Sequence, residues 1–308
     1  MLLGGHCSGG LKGALDRAVE IGADSVQFFA QSPRTWRFPE RSQLDYSEFR
    51  SRRDAAGLGA VLVHALYLCN LATADAEIFG KSLATMRSTV QTACAIEADA
   101  VVFHVGSHLG AGFEAGLERA VPAIEQVLED CSERTWLLIE NSAGAGGTMG
   151  RSVPELAALV DALGRHPRLG VCLDSCHLYV SGVDVADPVV LNAVVRDVDE
   201  LIGLDRLRAL HVNDAAAPFS SNRDRHANVL EGELGERIGV FLGHSAFQGL
   251  PAVMETPGPD DHGPDAAEMR KLRDLHARWA PAGAVAAAPA ASATPAARRR
   301  GRAQTKRT

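Results

Sequence analysis

Short apolar runs and longer amphipathic stretches alternate along most of the chain. The runs predict strands at residues 2–5, 25–29, 60–63, 100–103, 136–139, 169–173, 207–210 and 250–254. Between them apolar residues recur at helical spacing, as in Leu11, Leu15, Ala18 and Val19, or Leu83, Met86, Val90 and Ala93. Ser152-Val153-Pro154 and Asp187-Pro188 each place a capping side chain ahead of a first-turn proline, which marks a helix start. Eight strands alternating with helices, in units of roughly 23 to 44 residues, predict a parallel α/β architecture. A closed barrel and a doubly wound open sheet would alternate in the same way, so periodicity leaves both open.

The pattern ends near Ala280, which sets one folded domain at 1–280 within the 308 residues. Residues 281–297 are almost entirely Ala, Pro, Ser, Thr, Gly and Val, a composition that cannot bury a core and predicts a disordered spacer. It leads to a basic tip, Arg298, Arg299, Arg300, Arg302, Lys306 and Arg307. Removing those six bases from the 31 leaves 25 against 38 acids, so the folded part carries about −13. An acidic body is an awkward partner for nucleic acid. Six scattered cysteines, with no secretory signal in Met1–His6, predict reduced thiols and a cytoplasmic setting. No run is apolar for the length a membrane span needs.

The candidate chemistry lies at the strand ends. Just past six predicted strands stand His64, His104, Glu140, Asp174, His211 and Glu255, spaced 40, 36, 34, 37 and 44 residues apart. Any one of them alone reads better as a hydrogen-bonded or capping residue. Six at matching positions do not, because independent caps need not be His, Asp or Glu each time. In a barrel those ends share one rim, where active sites of that fold lie. His177 follows Asp174 by three positions, and Asp224-Arg225-His226 lies in the loop after the seventh strand. Five imidazoles and four carboxylates suit Zn²⁺, with Mn²⁺ or Fe²⁺ as alternatives, and they are too many for one ion.

Several segments resemble the endonuclease IV family. They are Phe103-His104-Val105-Gly106-Ser107-His108, Glu140-Asn141-Ser142-Ala143-Gly144, Gly170-Val171-Cys172-Leu173-Asp174-Ser175-Cys176-His177, His211-Val212-Asn213-Asp214 and Asp224-Arg225-His226. The similarity runs in order from His6 to Glu255. The resemblance implies a (β/α)₈ TIM barrel and a monomeric DNA-repair phosphodiesterase that nicks 5′ to abasic sites and trims blocked 3′ ends. It implies three metal ions, with His64, His104 and Glu140 on the first. Glu140 would bridge to a second ion with Asp174, His211 and Glu255, and His177, Asp224 and His226 would hold the third. Three dications over four carboxylates leave the pocket positive, which attracts a phosphodiester in spite of the acidic body. The resemblance also assigns invasion of the DNA duplex to Arg34, Tyr67 and Leu68; packing of the loop after His64 against the barrel is the bland alternative for the last two.

Three loops depart from the family pattern. The first, after His6, is two residues shorter; Ala215-Ala216-Ala217 replaces the usual Ser and Lys; and Asn228–Gly235 replaces a Gly-rich run. Cys172 and Cys176 read as packing residues, and Gly144–Gly147 as a rim loop without the lysine of a phosphate loop. A metal-dependent sugar isomerase or epimerase is the main alternative function. Glu140, Asp174, His211 and Glu255 would supply its single site, leaving the remaining histidines unused.

Overall fold

The computed structural model describes residues 1–282; the spacer and basic tip predicted from Pro281 onward lie, but for their first two residues, outside the described residues. Eight parallel strands close into a barrel: β1 (Leu2–His6), β2 (Ser25–Phe29), β3 (Ala60–His64), β4 (Ala100–Phe103), β5 (Trp136–Glu140), β6 (Leu169–Asp174), β7 (Leu207–His211) and β10 (Pro251–Met254). Closure by the β1–β10 pairing decides between barrel and open sheet, which periodicity could not do. Two further strands, β8 (Asp214–Ala215) and β9 (His226–Ala227), form a small antiparallel pair above β7. They are too short for an apolar pattern to reveal.

Around the barrel run α1 (Gly10–Ile21), α2 (Gln43–Ala56), α3 (Ala76–Ala95), α4 (Phe113–Leu128), α5 (Val153–Ala162), α6 (Ser175–Val180), α7 (Pro188–Leu201), α8 (Gly239–Gly243) and α9 (Ala266–Trp279). The two capping signals act as predicted. Ser152 accepts from the Glu155 N–H, and Asp187 accepts from those of Val189 and Val190. In α1 the expected apolar face is Leu11, Leu15 and Ala18, but Val19 is solvent-exposed and belongs to the outer face. Among the described residues no helix is long and apolar enough to cross a membrane.

Two apolar layers hold the architecture. The larger packs the helices onto the barrel wall, and the smaller fills the barrel with Leu62, Val102, Leu138, Cys172, Ala209 and Val253. Side chains alternate faces along a strand, so the next inward position lies two residues on. From those six residues it is His64, His104, Glu140, Asp174, His211 and Glu255. The hydrophobic plug and the polar rim are therefore one periodic pattern. Four of the six close their strands; His104 and Glu255 stand one residue beyond theirs.

Candidate metal centre

Glu140 is the hub. Its Oε2 lies 3.1 Å from His64 Nε2 and 3.3 Å from His104 Nε2, while Oε1 lies 2.9 Å from His211 Nδ1 and 3.2 Å from His177 Nδ1. Glu255 Oε2 is 3.2 Å from the same His211 Nδ1, and Asp174 Oδ2 is 3.9 Å from it. Asp224 Oδ1 stands 3.3 Å from both His177 Nε2 and His226 Nε2. All nine sequence-predicted ligand residues thus converge. Eight of them fall into overlapping groups whose donor atoms lie within 4.8 Å of one another: His64, His104 and Glu140; Glu140, Asp174, His211 and Glu255; and Asp174, His177 and His226; Asp224 adjoins the last through its approach to both histidines. A further combination, His64, His211 and Glu255, joins the first two groups.

The backs of the imidazoles are held by acceptors. The Nδ1–H groups of His64, His177 and His226 donate to the carbonyls of Ala65, Asn141 and Glu255, at 2.6, 2.9 and 3.2 Å. Each Nε2 lone pair therefore points inward. His177 Nε2 and His226 Nε2 are buried with no hydrogen-bond partner, although a carboxylate faces them. Lone pair against carboxylate is repulsive, and a cation between them is the group that satisfies both. The residues present fit divalent ions on that ground.

Without an ion, extra protons answer the same need. Burial alone would push Glu140 up, but the neighbouring His104 and His211, with hydrogen bonds from His177 and His211, hold it well below the usual carboxylate range. Burial alone would lower His226, yet the Asp224 carboxylate beside it and the charge of Asp174 raise it to about 9. His177 and His211 are raised well above their ordinary value against the same opposing burial, chiefly by Asp174 and Asp224 at the first and by Cys172, Glu140 and Glu255 at the second.

Residues around the ligands fix the carboxylates, and sequence reasoning gave them no role. Asn213 donates to Asp174 Oδ2 at 2.6 Å and accepts from the Glu255 N–H at 2.7 Å. The Asn141 amide oxygen accepts from the Asp174 N–H at 2.6 Å. Asp174 caps α6 through Oδ1, which accepts from the His177 N–H at 2.7 Å, and turns Oδ2 to the cluster. Here a helix cap and a place in the cluster coexist in one side chain. Gln27 contacts His6, Glu255 and His211. One signal for it was available: an amide on the inward face of an apolar strand.

The three other predicted residues lie on the rim. Tyr67 is 55% exposed and Leu68 42%. The Tyr67 ring rests on Phe29 and His64, with centroids 5.3 and 5.1 Å away. Arg34 is exposed and lines a cleft of about 990 Å³ with His6, Phe29, Gln31 and Arg41.

Barrel and strand-end cluster define the class, and residues 15–276 match the family model for xylose isomerase-like TIM barrels. Within that class the chain belongs to the endonuclease IV family. It is 35% identical over 276 residues to the probable endonuclease 4 of Halothermothrix orenii, covering 89% of this chain and 99% of that one. The crystal structure of endonuclease IV from Thermus thermophilus superposes with a TM-score of 0.78 at 32% identity, over 90% of this chain and all of the other. A D-tagatose 3-epimerase-like protein, at 15% identity and a TM-score of 0.68, over 90% of this chain and 97% of the other, shares the fold alone.

Proposed function

We propose that the chain is a metal-dependent DNA-repair phosphodiesterase, cutting 5′ to abasic sites to leave a 3′-hydroxyl and trimming blocked 3′ ends. The observation that carries this reading is the convergence of all nine ligand-type residues on one rim in a chain of this family. An epimerase needs only Glu140, Asp174, His211 and Glu255, and would leave the His177–Asp224–His226 corner without work.

Three Zn²⁺, or Mn²⁺ or Fe²⁺ at some positions, fit the three groups. His64, His104 and Glu140 would hold the first; Glu140, Asp174, His211 and Glu255 the second; and His177, Asp224 and His226, with Asp174 alongside, the third. Bound ions supply water acidified from a pKa of 15.7 to roughly 7, and positive charge for phosphate oxygens. Glu140 serves two groups at once because its two oxygens face different histidines. The carbonyl-backed imidazoles keep their lone pairs inward, so little reorganisation accompanies the reaction. Tyr67 and Leu68 are exposed beside the cluster, where they can enter a base stack lacking a base; Arg34 lies across the adjoining cleft. An abasic nucleotide leaves the helix at the least unstacking cost, which favours it as substrate. The barrel of residues 1–280 is the catalytic unit, acting as a monomer in the cytoplasm.

The chemistry of the product tests this reading. A duplex carrying one abasic-site analogue should give a nick that a DNA polymerase extends directly, since only a free 3′-hydroxyl primes. A product that cannot be extended, or ketose epimerisation by the same preparation with no nick, contradicts it.

A further inference from the structure

The contacts of Gln27 permit one assignment of its amide. The side chain is fully buried on β2. A carboxylate only accepts, so the amide nitrogen faces Glu255, donating to Oε1 at 2.7 Å. The amide oxygen is thereby turned to His211, 2.9 Å from Nε2. An amide oxygen also only accepts, so His211 carries hydrogen on Nε2, and in the neutral imidazole that a metal ion takes, the lone pair is on Nδ1. That Nδ1 is the atom facing Glu140, Asp174 and Glu255. His64, His177 and His226 are turned the other way, with hydrogen on Nδ1 and Nε2 inward.

We propose that Gln27 is a positioning residue for the second ion. It selects which nitrogen of His211 is the ligand and, through the same amide, holds the Glu255 carboxylate. Packing alone would need neither function from it: the strand neighbours Val26 and Phe28 are fully buried and apolar. The proposal rests on the metal reading above.

The test uses full-length protein labelled with ¹⁵N-histidine and loaded with Zn²⁺, comparing imidazole tautomers by long-range proton–nitrogen NMR and ion content by mass spectrometry. In the wild type, His211 should carry its hydrogen on Nε2, opposite to His64, His177 and His226. Gln27→Leu should lose that fixed pattern and hold one ion per chain roughly 10–100-fold more weakly, the range for removing a partner that orients a ligand. Gln27→Glu keeps an acceptor toward His211 and sets a second carboxylate against Glu255, so it should retain the tautomer and still weaken the ion. A purely structural role would not separate the two variants. Hydrogen on His211 Nδ1 in the wild type overturns the proposal even if Gln27→Leu fails to fold. So does Gln27→Leu with unchanged tautomer and ion affinity. A wild type that nicks DNA and binds its ions but shows either result sinks this inference alone, whereas a wild type that binds no ion overturns the metal reading with it.

Discussion

At the scale of single residues the centre depends on side chains with two faces. Glu140 divides its oxygens between the His64–His104 pair and His211. Glu140→Gln keeps the shape and removes half of that capacity. Nicking should fall by at least about 10²-fold, the scale for losing one charge-stabilising group, with circular dichroism unchanged; near-native activity would remove Glu140 from the bridging role. Tyr67 has the opposite signature. Tyr67→Ala should weaken capture of abasic duplex by about 1–3 kcal/mol, the stacking scale per base, while ion content stays the same. The clustered residues were legible in the sequence because His, Asp and Glu at repeated strand ends are conspicuous. Gln27, Asn141 and Asn213 were not, because an amide acquires a role only when register and direction are known.

Among elements, the loops after β7 show how chain geometry serves the centre. Asp214 is fully buried, and its carboxylate accepts from the N–H groups of Ala215, Gly232, Leu234 and Gly235 at 2.8 to 3.1 Å. Its backbone pairs β8 with β9, which carries His226. One residue therefore ties the divergent Asn228–Gly235 segment to the strand of His226. Asp214→Asn turns a donor toward amide N–H groups. It should cost roughly 1–3 kcal/mol of stability, the penalty for an unsatisfied buried group, and loosen the His177–Asp224–His226 corner first. Unfolding by denaturant, paired with ion counts, checks both; full stability with full ion content would show that the loop is held by other means. The eight barrel strands were legible because each is an apolar run. The β8–β9 pair was not, because two residues per strand leave no period to read. Val19 looked buried because it is apolar at a near-helical interval, yet α1 packs a face narrower than its apolar content.

Over the whole molecule, the rim concentrates what the acidic body lacks. The apolar plug inside the barrel gives way, one inward step along each strand, to a layer of imidazoles and carboxylates. Protons and metal ions compete for the same lone pairs, which gives stability a defined pH dependence. A histidine whose folded pKa lies above its unfolded value stabilises the fold fully below the unfolded value, near 6.5, and ceases to do so above the folded one. His226 is raised to about 9, and His177 and His211 move in the same direction. The metal-free protein should therefore lose stability as pH rises from about 6.5 to about 9. Ion-loaded protein should not, so the gap between their melting temperatures widens with pH. A constant gap across that window would contradict the account of the cluster.

The most direct measurement combines cleavage and metal content on one preparation: a duplex with a single abasic-site analogue, before chelation, after it, and after restoring Zn²⁺. The predicted result is one nick 5′ to the lesion with two to three ions per chain, lost on chelation and regained with the ions. A folded, fully loaded protein that leaves the duplex intact would contradict the proposed reaction and turn attention to sugar substrates.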